Sequence, residues 1–216
     1  MERLIILILF VLYSSHIFSQ VMVLDALYPP GNVHFNLDYN SSACASNSAP
    51  DGWMLYVASP DCASARGGVM FPPDDDDEVL MFGEAIKRDI SSLGLIAGTT
   101  ITISIVAAVG NLNQGEIPVP DGDHSFNVKI FSAEPIWPST WGIGAGMLCT
   151  ATYDNLYGGQ LVLSGDNDGL LGMTFTNTVT LNQDANWIAI GNCGLFTGDP
   201  IDLPTGSVLD DLTISW

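Results

Sequence analysis

The run Thr99-Thr100-Ile101-Thr102-Ile103-Ser104-Ile105 constrains this chain more than any other segment. Polar and apolar residues alternate through it, and nearly all are β-branched. Successive side chains of a strand point to opposite faces, so such a run buries one face and wets the other. Branching at Cβ stiffens χ1 and favours the extended backbone. The same period of two recurs in Val33, Phe35, Leu37 and Tyr39, and again in Phe126, Val128 and Ile130. Apolar runs at 53–57, 79–82, 161–163, 173–181 and 187–190 read as further strands. Turn formers separate them, as in Pro29-Pro30-Gly31-Asn32, Pro120-Asp121-Gly122-Asp123 and Thr197-Gly198-Asp199-Pro200. Only residues 84–93 suit a helix, and a short one. Many short strands with regular turns predict an all-β fold, an antiparallel two-sheet β-sandwich or jelly roll. No internal repeat or linker marks a second domain.

The start of the chain predicts its compartment. Met1-Glu2-Arg3 precedes an apolar run from Leu4 to Tyr13, then Ser14-Ser15-His16-Ile17-Phe18-Ser19-Gln20. A charged head, an apolar stretch too short to span a bilayer and a small residue at the cut describe a secretion signal, residues 1–19. Residues 20–216 then form a single β-sandwich domain, secreted or at the cell surface. No other segment approaches a spanning length.

Lysine and arginine together number 5 against 24 acidic residues, a formal net charge of -19. Apart from Arg3, the basic residues are Arg66, Lys87, Arg88 and Lys129. Such a surface repels nucleic acid and anionic lipid and suits neutral ligands or divalent cations. The cysteines, Cys44, Cys62, Cys149 and Cys193, make an even set in a chain predicted to be secreted, so disulfides are expected. Cys44–Cys62 and Cys149–Cys193 is the favoured pairing, because each bond closes a local loop within one half of the chain. No CxxC or histidine-rich spacing suggests zinc.

The chain ends in Val208-Leu209-Asp210-Asp211-Leu212-Thr213-Ile214-Ser215-Trp216. Strict alternation places Val208, Asp210, Leu212, Ile214 and Trp216 on one face. A carboxylate aimed at an apolar core is costly unless it is paired or holds a metal. Asp210 is thus a candidate calcium ligand.

The order of these elements resembles a known family. Asp51-Gly52-Trp53 with Ser59-Pro60-Asp61 is similar to the opening of secreted bacterial jelly-roll modules. The segment from Ile90 to Ser104, then Phe126 to Ile130, Met173 to Thr176 and Trp187 to Ile190, resembles their successive strands. Val208 to Ile214 resembles their closing apolar-Asp-Asp-apolar strand. The family is the galactose-binding-like jelly roll, which includes carbohydrate-binding modules of the family 4, 9 and 22 type. Phe18-Ser19-Gln20 also resembles the signal ending of gliding, polysaccharide-using Bacteroidota. The resemblance implies two facing sheets, glycan binding on a sheet face or in end loops, and a structural calcium ion (Ca2+) held through Asp210 or Asp211. The family's opening Asn-Gly-x-Phe-Glu element is matched only imperfectly by Pro30-Gly31-Asn32-Val33-His34-Phe35, so the remaining calcium ligands are unassigned.

Sugar binding calls for flat apolar platforms beside planar polar groups. Trp137 and Trp141, in a loop set by two prolines and a glycine, are candidate platforms. Tyr153 and Tyr157 form a second pair, with Asp154, Asn155 and Gln160 as polar neighbours. Trp53 and Trp187, at strand starts, read as core. The acidic run Asp74-Asp75-Asp76-Asp77-Glu78 lacks the spaced ligands of a calcium loop and reads as a solvated loop. Asp166-Asn167-Asp168-Gly169 lacks a closing glutamate and reads as a surface turn.

Catalytic signatures are missing from the sequence: no Gly-x-Ser-x-Gly, His-Glu-x-x-His or P-loop occurs. A secreted, non-catalytic, lectin-like protein with a polysaccharide partner is the leading expectation. A structural or adhesive sandwich without a sugar site is the alternative, and a polysaccharide-acting enzyme a third.

Overall fold

The inner surface of each sheet is laid down by the alternation seen in the sequence. In a computed structural model, the described residues are 31–35, 37, 49–57, 61–62, 79–81, 84–111, 125–137, 149, 159–166, 173–193 and 205–216. At 61–62, 79–81, 108–111 and 205–208 only the backbone is described. The chain divides into Met1–Gly31 and Asn32–Trp216. The expected signal lies outside the described residues, and every described strand belongs to the second unit.

Eleven strands are described: β1 (Asn32–Phe35), β2 (Met54–Val57), β3 (Asp61–Cys62), β4 (Val79–Met81), β5 (Ala85–Asp89), β6 (Thr100–Asn111), β7 (Ser125–Phe131), β8 (Gln160–Asp166), β9 (Met173–Thr180), β10 (Trp187–Asn192) and β11 (Thr205–Ser215). They form two antiparallel sheets. One has the order β3-β4-β11-β6-β9, with β1 also pairing β11; the other is β2-β5-β10-β7-β8. The core between them is built from Ile101, Ile103 and Ile105 of β6, facing Ile86, Ile188, Ile190, Val128 and Ile130 of the other sheet. The all-β sandwich expected from the periodicity is the observed fold. Among the described residues no helix is long and apolar enough to cross a membrane.

Residues 84–93 do not form the helix that their spacing suggested. Ile86 and Ile90 sit four apart, as on a helix face, but the segment is β5 followed by a single 3-10 turn, Ser91–Leu93. Pairing with β2 and β10 supplies backbone partners on both sides and overrides local preference.

The last strand departs from strict alternation. In β11 the register against β6 runs to Asp210↔Val106 and resumes at Thr213↔Ser104, so one residue is added to β11 alone. This is a β-bulge, and Asp211 within it has φ 44°. Leu209 and Leu212 are three positions apart, yet both are fully buried, as is Ile214. Asp210 pairs with Val106, whose neighbours Ile105 and Ala107 face inward, so Asp210 lies on the outer side of the sheet. The expectation that Asp210 faces the core is thereby corrected: the bulge shifts the phase of the strand. The bulge also marks where β11 changes partner, from β4 at Ser207–Leu209 to β1 at Leu212–Ser215.

Cys149 and Cys193 are bonded, with Cα atoms 5.7 Å apart, as expected. The expected Cys44–Cys62 pair lies outside the described side chains. Trp53 is buried in the core, edge-on to Phe35 at 6.3 Å between centroids.

Candidate ligand-binding face

The five-stranded sheet turns Ile86, Ile188, Ile190, Val128 and Ile130 inward, so the residues between them face out. The register reads Met54, Lys87, Ala189, Lys129 and Leu161 as one row across all five strands. A second row is Asp89, Trp187 and Phe131. The outer face is not merely solvated. Tyr56, Val57, Ala85, Phe131 and Ala189 form a second buried cluster, with Trp137 and Trp187 packed against it. Its floor is made of small residues, Ala85 and Ala189, and both are fully buried. The floor is therefore closed, and the accessible groups lie at its rim.

Lys87 organises that rim. Its ammonium lies 5.2 Å from the Tyr56 ring centroid and 5.5 Å from that of Trp187, within cation–π range. It donates to Glu134 Oε1 at 2.7 Å and to the Pro135 carbonyl at 3.0 Å. The Lys87 side chain is 12% exposed and Glu134 53%, so the pair straddles the edge of the buried cluster. These bonds tether residues 134–135 to β5. They leave Trp137 edge-on to Tyr56, 6.0 Å between centroids at 85°. Trp137 and Trp187 are half-buried, whereas Met54 at 41%, Leu161 at 46% and Ile136 at 66% are exposed.

Of the expected platform residues, Trp137 stands on this face. Trp141, Tyr153, Asn155 and Tyr157, like Asp154, lie outside the described residues. Gln160 is engaged elsewhere: its amide donates to the Thr180 carbonyl, and its oxygen accepts from Asn182 N–H. Trp187 is corrected from main core to outer face. The signal was in the sequence, since Ile188 and Ile190 facing inward force Trp187 and Ala189 outward. Lys87, Tyr56 and Glu134 were missed, because nothing local says that positions 56, 87 and 134 meet.

At the other sheet, Asp211 accepts from Nε2 of His34 at 2.7 Å, both side chains about half-exposed. Calcium takes six to eight oxygen ligands. Among the described residues no group of three or more His, Cys, Asp or Glu side chains is close enough to hold a metal ion. Asp210 and Asp211, one oxygen of the latter already facing an imidazole, do not by themselves make up that shell.

No family model and no curated protein matches the chain. Among solved structures it is similar to the CBM22-2 xylan-binding domain of Paenibacillus barcinonensis Xyn10C, at 10% identity and TM-score 0.45 over 84% of this chain and 98% of that one. It is also similar to the C-terminal CBM6 of LamC, a marine laminarinase of Zobellia galactanivorans, at 8% identity and TM-score 0.39 over 85% and 100%. A third likeness is to the CBM22-1–GH10 modules of Clostridium thermocellum xylanase 10B, at 9% identity and TM-score 0.43. It covers 83% of this chain, which spans only 28% of that structure. At these identities the likeness bears on the fold alone.

Proposed function

We propose that this chain is a secreted, non-catalytic protein that binds a neutral glycan at the rim of its five-stranded sheet. The observation that carries the reading is the contiguous set Tyr56, Trp137 and Trp187 fixed around Lys87. The half-buried rings of Trp137 and Trp187 suit the CH faces of a pyranose, and the exposed Met54 and Leu161 extend the apolar rim. The charge of Lys87 is already met by Glu134 and the Pro135 carbonyl, which favours a neutral sugar over an acidic one. Because the rings are held by packing, by the edge-on contact of Trp137 with Tyr56 and by the Lys87 ammonium beside Tyr56 and Trp187, little ordering is left to binding. Calcium is given no role in this contact.

Binding of the purified protein to a panel of soluble and insoluble polysaccharides tests the reading, run in calcium and again in chelator. Saturable binding to one neutral glycan, lost in Trp137→Ala and Trp187→Ala with melting preserved, is expected. No binding across the panel by the folded protein would move the reading to a structural or adhesive sandwich.

A further inference from the structure

Trp187 has a carboxylate to either side. Across β5 and β10 it lies directly opposite Asp89, and across β10 and β7 directly opposite Phe131. Directly opposed residues keep their Cβ atoms about 4.5–5.5 Å apart, so Asp89 is an immediate neighbour of the indole. On the β7 side the chain runs on from Phe131 through Ser132 to Glu134. Asn186 N–H donates to the Phe131 carbonyl at 3.0 Å, and the Asn186 amide donates to the Ser132 carbonyl at 2.7 Å. Lys87, 5.5 Å from the Trp187 centroid, then holds Glu134 at 2.7 Å.

An exposed carboxylate says little by itself in a chain with 24 acidic residues. These two are distinguished by being aimed. Asp89 Oδ1 accepts from Ser91 N–H at 2.8 Å and from the Ser91 hydroxyl at 2.6 Å. Glu134 Oε1 accepts from Lys87. In each group one oxygen is tied, and the second, Oδ2 or Oε2, has no partner among the described residues. Both side chains are exposed. The Ser91 hydroxyl, and after it the Ser91 backbone bond, hold the Asp89 carboxyl below the usual aspartate range, so it stays ionised.

An ionised carboxylate accepts and never donates. It selects hydroxyl donors, repels other anions and makes the stronger class of hydrogen bond. A ring flanked by two fixed acceptors suits a pyranose that lays its CH face on the indole and points hydroxyls to both sides. We propose that Asp89 and Glu134 read the hydroxyls of the sugar seated at Trp187, which restricts the ligand to glycans whose bound unit is uncharged and carries free hydroxyls on both edges of its ring. Both roles rest on the glycan binding proposed above.

Asp89→Asn and Glu134→Gln change the free atom alone. The Ser91 N–H and the Lys87 ammonium each demand an oxygen, so the tied oxygen stays and the free one becomes an amide donor. Calorimetric titration of the purified full chain with cellohexaose, xylohexaose and laminarihexaose, and with the hexamer of galacturonic acid, tests the roles. The wild type is expected to bind one of the neutral hexasaccharides and not the acidic one. Each variant is expected to bind that neutral sugar about tenfold or more weakly, with circular dichroism unchanged. Should Asp89→Asn fail to fold, Glu134→Gln decides. Unchanged affinity in either folded variant, with binding still lost in Trp187→Ala, overturns the proposal and leaves glycan binding standing. Binding of the galacturonate hexamer by the wild type as tightly as a neutral one overturns it too. So does binding to none of the four by the folded wild type, and the polysaccharide panel then decides the wider function separately.

Discussion

Asp211 holds a left-handed backbone at φ 44° and sets its carboxylate 2.7 Å from Nε2 of His34, on the strand that takes over pairing from β4. Aspartate tolerates this region better than most residues, and a β-branched residue tolerates it poorly. Asp211→Val is expected to lower stability by about 1–3 kcal/mol. Asp211→Gly is expected to stay within about 1 kcal/mol of wild type, as relief of the backbone offsets loss of an exposed ion pair. Urea denaturation of the three proteins checks the order.

Gly165 lies against Phe126 and Phe175, whose rings meet edge-on at 5.3 Å. A Cβ at this position would come within 2.5 Å of the Phe126 ring and 2.7 Å of Phe175. Overpacking of this kind costs about 1–3 kcal/mol. Gly165→Ala is expected to melt several degrees lower, measured by calorimetry, although alanine is the smaller risk at most exposed positions.

Lys87 and Glu134 differ in exposure, so their loss should differ in cost. Lys87→Met removes the cation from two rings and a carbonyl and is expected to cost about 1–3 kcal/mol. Glu134→Gln removes the exposed partner and is expected to cost less than about 1 kcal/mol. A double-mutant cycle in denaturant reads the coupling.

The Cys149–Cys193 bond closes a separation of 44 residues. Cys149→Ser with Cys193→Ser is expected to cost about 2–4 kcal/mol by releasing that loop in the unfolded chain. Thermal melts of the double variant measure it, and peptide mapping without reductant confirms the bond.

Asp89 gives one oxygen to Ser91 N–H at 2.8 Å and to the Ser91 hydroxyl at 2.6 Å. The hydroxyl and then the backbone bond hold its carboxyl below the usual aspartate range. A carboxyl depressed on folding contributes stability above its unfolded pKa and loses it as pH falls through the folded one. The melting difference between wild type and Asp89→Asn is therefore expected at neutral pH and to fade in acid.

The sheets were legible because period-two runs with branched residues leave few other choices. Of the runs 99–105, 126–130 and 173–181, residues 100–105, 126–130 and 173–180 fall in β6, β7 and β9. Residues 84–93 misled, since Ile86 and Ile90 match a helix face and only the flanking strands reveal the extended form. The outer-face site was half legible. Trp137 announced itself by its loop, but Lys87 gains its meaning from Tyr56, Glu134 and Trp187, which approach it from three other segments. Pairwise meeting across long separations leaves no mark in local pattern.

Remove Asp211 in thought, and the closing strand becomes regular: Leu209 in, Asp210 out, Leu212 in, Thr213 out, Ile214 in. The hydrophobic interior is indifferent to this residue and would be served as well without it. Asp211 acts in the strand as punctuation does in a sentence, adding no content of its own and fixing where one clause ends and the next begins. Its presence answers to the joint between β4 and β1, two short partners laid end to end along a single long strand.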